Sequence, residues 1–166
     1  MTANIEHTLD RDSLSFTFTS DFDAPAERVW QVWEDPRQLE RWWGPPSWPA
    51  TFDRHDFVPG GESRYHMTGP NGETAPGWWV TTSIEPHSRL ELRDGFADQS
   101  GKPDPSMPET RMTMTLDEQD GRTRMTLVSK FANADELDKV LAMGMVDGMT
   151  EAMEQIEGIL ASTLKR

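Results

Sequence analysis

The chain of 166 residues is long enough for one domain with a single core and short for two of ordinary size. Its 29 acidic residues against 16 basic ones leave a net charge of −13, which disfavours extended contact with nucleic-acid phosphates or anionic membrane surfaces. With no cysteine there is no disulfide framework, thiolate nucleophile or cysteine-based zinc site, which suits a cytoplasmic protein, and no apolar run approaches a membrane span.

The opening residues, from Met1 to His7, lack the basic and apolar parts of a secretory signal, so residues 1–13 are expected to be a polar lead-in to a single domain over 14–164. Leu14 to Phe22 alternates and predicts a first strand, and Asp23-Ala-Pro25 opens a helix with Val29, Trp30 and Trp33 on one side. Asp35-Pro36-Arg37-Gln38 supplies an N-cap, a proline at the first helical position and a residue able to close a capping box, predicting a second short helix to about Trp42. Gly44 to Pro49 cannot be regular structure. Thr51 to Val58 is extended up to Pro59-Gly60-Gly61, and Glu62 to Thr68 is its hairpin partner.

After a turn at Gly69-Pro-Asn-Gly72, Trp78 to Ile84 and Arg89 to Arg93 read as two strands separated by Glu85-Pro86-His87. Only one of Trp78 and Trp79 faces inward, because neighbouring strand residues point to opposite faces. Gly95 to Pro108, with Phe96 and Met107 as its large apolar members, reads as a long loop of the kind that borders binding sites. Arg111 to Leu116 and Arg122 to Val128 form a last hairpin around Asp120-Gly121.

Asn133-Ala-Asp-Glu136 then resembles a capping box that starts one long amphipathic helix. Leu141, Met145, Met149, Ala152, Ile156, Ile159 and Leu160 share one face of it, while Glu136, Asp147, Glu151 and Glu154 share the other. The fold expected is α+β: a curved antiparallel sheet of six to seven strands wrapped around the C-terminal helix, with two short helices after the first strand. A single helix across such a sheet leaves a gap suited to a small apolar ligand.

This order of elements resembles the helix-grip proteins of the START-like superfamily, also called SRPBCC, and within it the bacterial group similar to the activator of heat-shock protein 90 ATPase. The match is carried by Ala24-Pro25 with Val29-Trp30, Asp35-Pro36 with Leu39 and Trp42-Trp43-Gly44-Pro45, and Asp56 with Pro59-Gly60-Gly61. It continues through Pro86 with Arg89-Leu90, Thr123 with Met125-Thr126-Leu127, and Met143-Gly144 with Gly148. The resemblance implies an apolar cavity between helix, sheet and loops. The functions it implies are binding of a small hydrophobic molecule such as a lipid or polyketide, cyclase or dehydratase chemistry in the same cavity, or a chaperone-associated stress-response module. The eukaryotic activators carry a further N-terminal domain for which this chain has no room. The chain also departs from the pattern after Gly148, where the family usually has tryptophan and this sequence has Met149.

No cofactor is expected: there is no P-loop, dinucleotide fingerprint or nucleophile elbow, and His7, His55, His66 and His87 lack metal-ligand spacing. The expected ligand contacts are Trp33, Trp43, Phe57, Tyr65, Trp79, Phe96, Met112, Met145 and Met149, with indole and phenol groups orienting the ligand and methionines adapting to its shape. If the protein is catalytic, His55, His66 and Tyr65 are the candidates to move protons, the two histidines lying on adjacent strands. Arg54, Arg64, Asp53 and Asp56 form a charged group expected on a solvated outer face. Beyond a small molecule, a chaperone contact and a homodimer are the partners left open.

Overall fold

The period-two alternation along the chain becomes one antiparallel sheet in the computed structural model, which describes residues 5–163. Its strands are β1 (Ile5–Asp10), β2 (Ser15–Phe22), β3 (Ala50–His55), β4 (Glu62–Thr68), β5 (Thr74–Glu85), β6 (Arg89–Phe96), β7 (Glu109–Gln119) and β8 (Arg122–Lys130). The sheet is 8-stranded, in the order β1-β2-β8-β7-β6-β5-β4-β3. Irregular pairing between Phe52 and Arg54 in β3, and between Thr81 and Ser83 in β5, interrupts two ladders at places where a local bend adds to the twist of the sheet.

Two differences from expectation concern the sheet. Residues Ile5–Asp10, assigned to a polar lead-in, pair with β2 from Ile5↔Ser20 to Asp10↔Ser15 and raise the strand count above seven. This edge strand has no buried residue and only a short alternation, Ile5, His7 and Leu9 against Glu6, Thr8 and Asp10; backbone pairing along β2, His7 stacked on Phe16 at 5.5 Å and Ile5 packed against the core hold it. The second is that β6 runs past Arg93 to Phe96, which shortens the long loop. The last hairpin agrees with its sequence: Asp120 and Gly121 both adopt positive φ, 55° and 79°, the requirement of a type I′ turn.

Helix α1 (Ala26–Glu34) and α2 (Pro36–Leu39) follow β2, and Asp35 caps α2 by accepting from the Arg37 amide at 3.0 Å. The Gln38 side chain donates to the other Asp35 oxygen at 3.0 Å and does not close a capping box, because the Asp35 amide is given to the Gln31 carbonyl. The N-cap of α1 is Pro25, which has no side-chain acceptor, and Glu118 from β7 supplies one, accepting from the Ala26 amide at 2.7 Å. Arg28, buried on α1, reaches Gln38 and the Ile159 carbonyl and so ties α1 to the end of the chain.

The C-terminal helix is in three pieces: α3 (Ala134–Ala142), α4 (Met145–Glu154) and α5 (Ile156–Thr163). The apolar period that predicted one helix continues across the breaks, but Gly144 adopts φ 85°, the left-handed conformation that ends a helix. Asn133 starts α3 as expected, accepting from the Glu136 amide at 2.9 Å. Burial is uneven along this segment. Ala152, Met153, Ile156, Ile159 and Leu160 are buried against the sheet, whereas no residue from 141 to 150 is fully buried. The later half of the helical segment therefore grips the sheet and the earlier half stands off from it. Among the described residues no helix is long and apolar enough to cross a membrane.

Because Glu118 is the side-chain acceptor at the start of α1, Glu118→Ala is expected to cost about 1 kcal/mol, the usual loss of a helix cap, read as a lower midpoint in urea with an unchanged slope.

Candidate functional site

Strand pairing decides which side chains face the gap under α4. Tyr65 on β4 lies opposite Gly77 on β5, and Gly77 opposite Phe96 on β6; one step along, Trp79 lies opposite Asp94 and Asp94 opposite Thr110 on β7. These residues share the inner face. Gly77 is what lets Tyr65 fit: a Cβ there would fall 2.4 Å from the Tyr65 ring and hydroxyl, so the phenol lies across bare backbone.

The gap is a cavity of about 270 Å³. Its sheet wall is Tyr65, Met67, Asp94, Gly95, Phe96 and Thr110, and its end is the Trp43-Gly44-Pro45 loop. The helical wall comes from Val140 of α3, the Met143-Gly144 corner, and Met145, Gly148, Met149 and Ala152 of α4, which recur at the three- and four-residue spacing of one helical face. A Cβ built on Gly148 would meet nothing within 4 Å. Met143 is 50% exposed and Gly144 is exposed, so the cavity meets the surface at this corner.

Four polar groups interrupt the apolar wall. The Trp43 indole is 4% exposed and its Nε1–H has no ordinary hydrogen-bond acceptor. Its nitrogen nonetheless lies close enough to the Tyr65 oxygen to favour phenolate slightly, a weaker effect than burial and the neighbouring Asp94 charge, which hold the Tyr65 hydroxyl protonated well above its usual range. Burial pushes the Asp94 carboxyl up to about 7; Glu109 adds repulsion and the Thr110 hydroxyl partly opposes the shift. Among the described residues no lysine, arginine or histidine lines the cavity.

Of the nine ligand contacts expected from sequence, the structure brings Trp43, Tyr65, Phe96, Met145 and Met149 together in the wall. The other four are packed away from it. Trp33 is fully buried, donating to Met125 Sδ at 3.4 Å; Trp79 is 1% exposed, edge-on to Trp43 at 4.9 Å; Met112 packs between β6 and β8; Phe57 is edge-on to Trp30 at 5.6 Å. Asp94 is missing from the sequence reading. Its signal was the inward phase Leu90, Leu92, Asp94, Phe96, hidden by ending the strand at Arg93.

The two histidines do not face each other: His55 pairs with Ser63, and His66 with Thr51. Both His55 nitrogens are occupied, Nε2 on the Trp33 carbonyl at 2.9 Å and Nδ1 on Ser63 Oγ at 2.8 Å. Since a carbonyl only accepts, Nε2 carries the proton and Nδ1 accepts from the serine. Burial lowers its pKa and the Trp33 bond opposes that, the pattern of a neutral histidine joining α1 to the hairpin. His66 pairs with Asp53 at 3.1 Å and is absent from the cavity wall. Arg54 joins Asp56 and Glu62, and Arg64 joins Glu62, in a partly exposed network.

Trp78 points the opposite way from Trp79. Its ring lies on Gly95, its Nε1 donates to the Phe96 carbonyl at 3.0 Å, and Arg93 stands 5.9 Å from the ring. There it lines a broader groove of about 980 Å³ on the outer face, under the loop that carries Pro103, Pro105 and Met107.

Solved structures share this fold. A protein from Arthrobacter aurescens is 48% identical, with a TM-score of 0.91 over 98% of this chain and 93% of its own. One from Mycobacterium smegmatis is 42% identical, with a TM-score of 0.87 over 95% of this chain and 97% of its own. The AHSA1 protein from Silicibacter pomeroyi, at 19% identity and a TM-score of 0.72 over 90% of this chain and 99% of its own, shares the fold. No curated protein matches in sequence. A family model described as activator of Hsp90 ATPase homolog 1-like protein matches residues 23–161, from the end of β2 into α5 and across every wall of the cavity, and the chain belongs to that family.

Proposed function

We propose that the protein binds a compact, largely apolar molecule in the cavity between α4 and the sheet. The observation that carries this reading is the wall itself: aromatic and methionine side chains from β4, β6, the Trp43 loop and α4 converge on space that the later helix residues fill elsewhere. A volume of about 270 Å³ corresponds to roughly nine water molecules at ~30 Å³ each, room for a molecule of one or two rings.

Two features of the wall cost stability and support a ligand over a filled core. Gly148 sits inside α4, where alanine would add ~0.5–1 kcal/mol of helix stability and its methyl would meet nothing. Asp94 places a carboxyl among apolar groups with no cation in the wall.

Cyclase or dehydratase chemistry would require a base facing the ligand. His55 and His66 are engaged elsewhere, but Asp94, an inward carboxyl pushed up to about 7, is a group of that kind; binding is preferred because it is the step both readings need and catalysis adds a reaction to it. A chaperone-associated module would present an exposed apolar patch. Among the described residues the exposed large apolar side chains, Leu9, Val58 and Met143, lie on three separate parts of the chain.

Native mass spectrometry of the purified protein should reveal a copurifying small molecule. Calorimetric titration of ligand-free protein with tetralin, a bicyclic hydrocarbon, should give a Kd below about 1 mM, or about −4 kcal/mol. No bound molecule and no tetralin binding would overturn the proposal. Met149→Trp is expected to shrink the cavity and weaken tetralin binding at least ~10-fold, about 1.4 kcal/mol; unchanged affinity would remove Met149 from the site.

Asp94 gives a pH test of its own. The folded protein holds its proton up to about 7, whereas the unfolded chain releases it in the ordinary carboxylate range, so this residue lowers stability progressively as pH rises between the two and fully above them. Asp94→Asn should therefore stabilise the protein at about pH 8, by at least ~1 kcal/mol or roughly 2–4 °C in Tm, with little change at about pH 4. Equal effects at both pH values would show that the carboxyl is not buried.

A further inference from the structure

The reading of a compact apolar ligand leaves unexplained why the cavity has a polar corner. Trp43 Nε1–H makes no well-formed hydrogen bond among the described residues, the Tyr65 oxygen beside it being its nearest acceptor, and Trp43 is 4% exposed, so solvent reaches it poorly. An unmade hydrogen bond of this kind costs ~1–3 kcal/mol. The Tyr65 hydroxyl lies next to it across bare Gly77, and Asp94 stands on the adjoining strand, opposite Trp79, with Thr110 beyond it. Trp43, Tyr65, Asp94 and Thr110 line the same cavity, and Gly77 and Trp79 do not. At and below neutral pH this corner offers Trp43 N–H, Tyr65 O–H and the proton of the Asp94 carboxyl, three donors from three elements, with no cation among the lining residues.

Resting on the proposal above, we infer that this corner receives the carbonyl oxygen of an uncharged apolar ketone or ester, held by Trp43, Tyr65 and Asp94, and that it rejects carboxylates. A carbonyl oxygen has two lone pairs and gives nothing back, so it matches a group of donors. A carboxylate would give up its hydration in a wall with no cation among the described residues, a cost that neutral donors repay only in part, and above about 7 it would also meet the ionised Asp94. An amine would find Asp94 but would confront the Trp43 donor with another donor. A pure hydrocarbon fills the cavity and leaves the indole N–H unpaired.

The discrimination depends on pH. The titratable groups around Asp94 are Tyr65 from β4 and Glu109 from β7; β5 opposes it with Trp79, and the lining residues of α4 and of the Trp43 loop carry no charge. As Asp94 ionises through about 7, a donor becomes an acceptor and the carbonyl loses its place.

The test compares tetralin with α-tetralone, which adds one carbonyl oxygen to the same bicycle, on the intact protein at about pH 6, below the Asp94 value of about 7. The ketone is the more soluble in water and so has the smaller hydrophobic drive to bind. It is expected to bind at least ~10-fold more tightly than tetralin, with its infrared carbonyl stretch below the value in hydrocarbon solvent. The advantage should fall by about pH 8 while tetralin binding stays constant. Asp94→Leu and Trp43→Phe should each reduce the ratio of ketone to tetralin affinity, whatever they do to tetralin binding itself; the infrared reading on the unaltered protein decides the matter should either variant fail to fold. Equal affinities with an unshifted stretch, or tighter binding of tetralin carboxylate than of the ketone, would overturn the inference while leaving the cavity reading in place. Failure of tetralin itself to bind would overturn both.

Discussion

Trp43 is the point on which helix, sheet and cavity depend. Its ring stands edge-on to Trp79 at 4.9 Å, Trp42 at 5.5 Å, Trp33 at 6.1 Å and Tyr65 at 6.1 Å, so one side chain joins α1, the loop after α2 and two strands. Edge-to-face pairs are worth ~0.5–1.5 kcal/mol each beyond the area they bury, and here they also fix orientation. Around this ring the Trp42 indole donates to the Val32 carbonyl at 2.8 Å, and Gln155 donates to the Gly44 carbonyl at 2.8 Å. The loop at the end of the cavity is thereby tied both to α1 and to the junction of α4 and α5. An irregular segment, Gly44 to Pro49, has become a fixed wall.

The same packing leaves a polar remainder. Buried polar atoms without partners among the described residues include Trp43 Nε1, Trp79 Nε1, Ser20 Oγ and Thr81 Oγ1. Of these residues only Trp43 lines the cavity, where an arriving molecule would supply what the fold does not. Nothing in the structure explains the unpartnered indole of Trp79 or the hydroxyls of Ser20 and Thr81. Asp94 belongs with Trp43: a core chosen for stability alone would hold an apolar residue opposite Trp79. The wall of the cavity is thus less stable than its neighbourhood, the pattern found where local rules yield to a site.

Most of the fold was legible because local chemistry and global pattern agree. Asp120-Gly121 can make few turns other than the one found, and Asp35-Pro36 announces its helix with a cap and a fixed φ. What escaped lacked a local mark. Strand β1 buries no residue and its apolar phase is only Ile5 and Leu9 around an imidazole, and the break at Gly144 lies within an unbroken apolar period. The site was half legible for a related reason. Trp33, Trp79 and Met112 have the same composition as true wall residues, and only packing shows that the space beside them is filled. Tyr65 and Met149 differ from them by position, opposite a glycine on the sheet and beside one on the helix.

The interruption at Gly144 bears on how fast anything enters or leaves. Between 141 and 150 no residue is fully buried, whereas Ala152 to Leu160 anchor the remaining helix in the core. Displacing the corner that carries Met143, Gly144 and Met145 would give up little buried area, and α5 could remain seated throughout. Were a molecule held in the cavity, local fraying of this helical corner would be a lower-cost exit than opening of the whole fold. Affinity and exchange rate would come under separate control, the first in the aromatic end of the cavity and the second at a glycine on its far side.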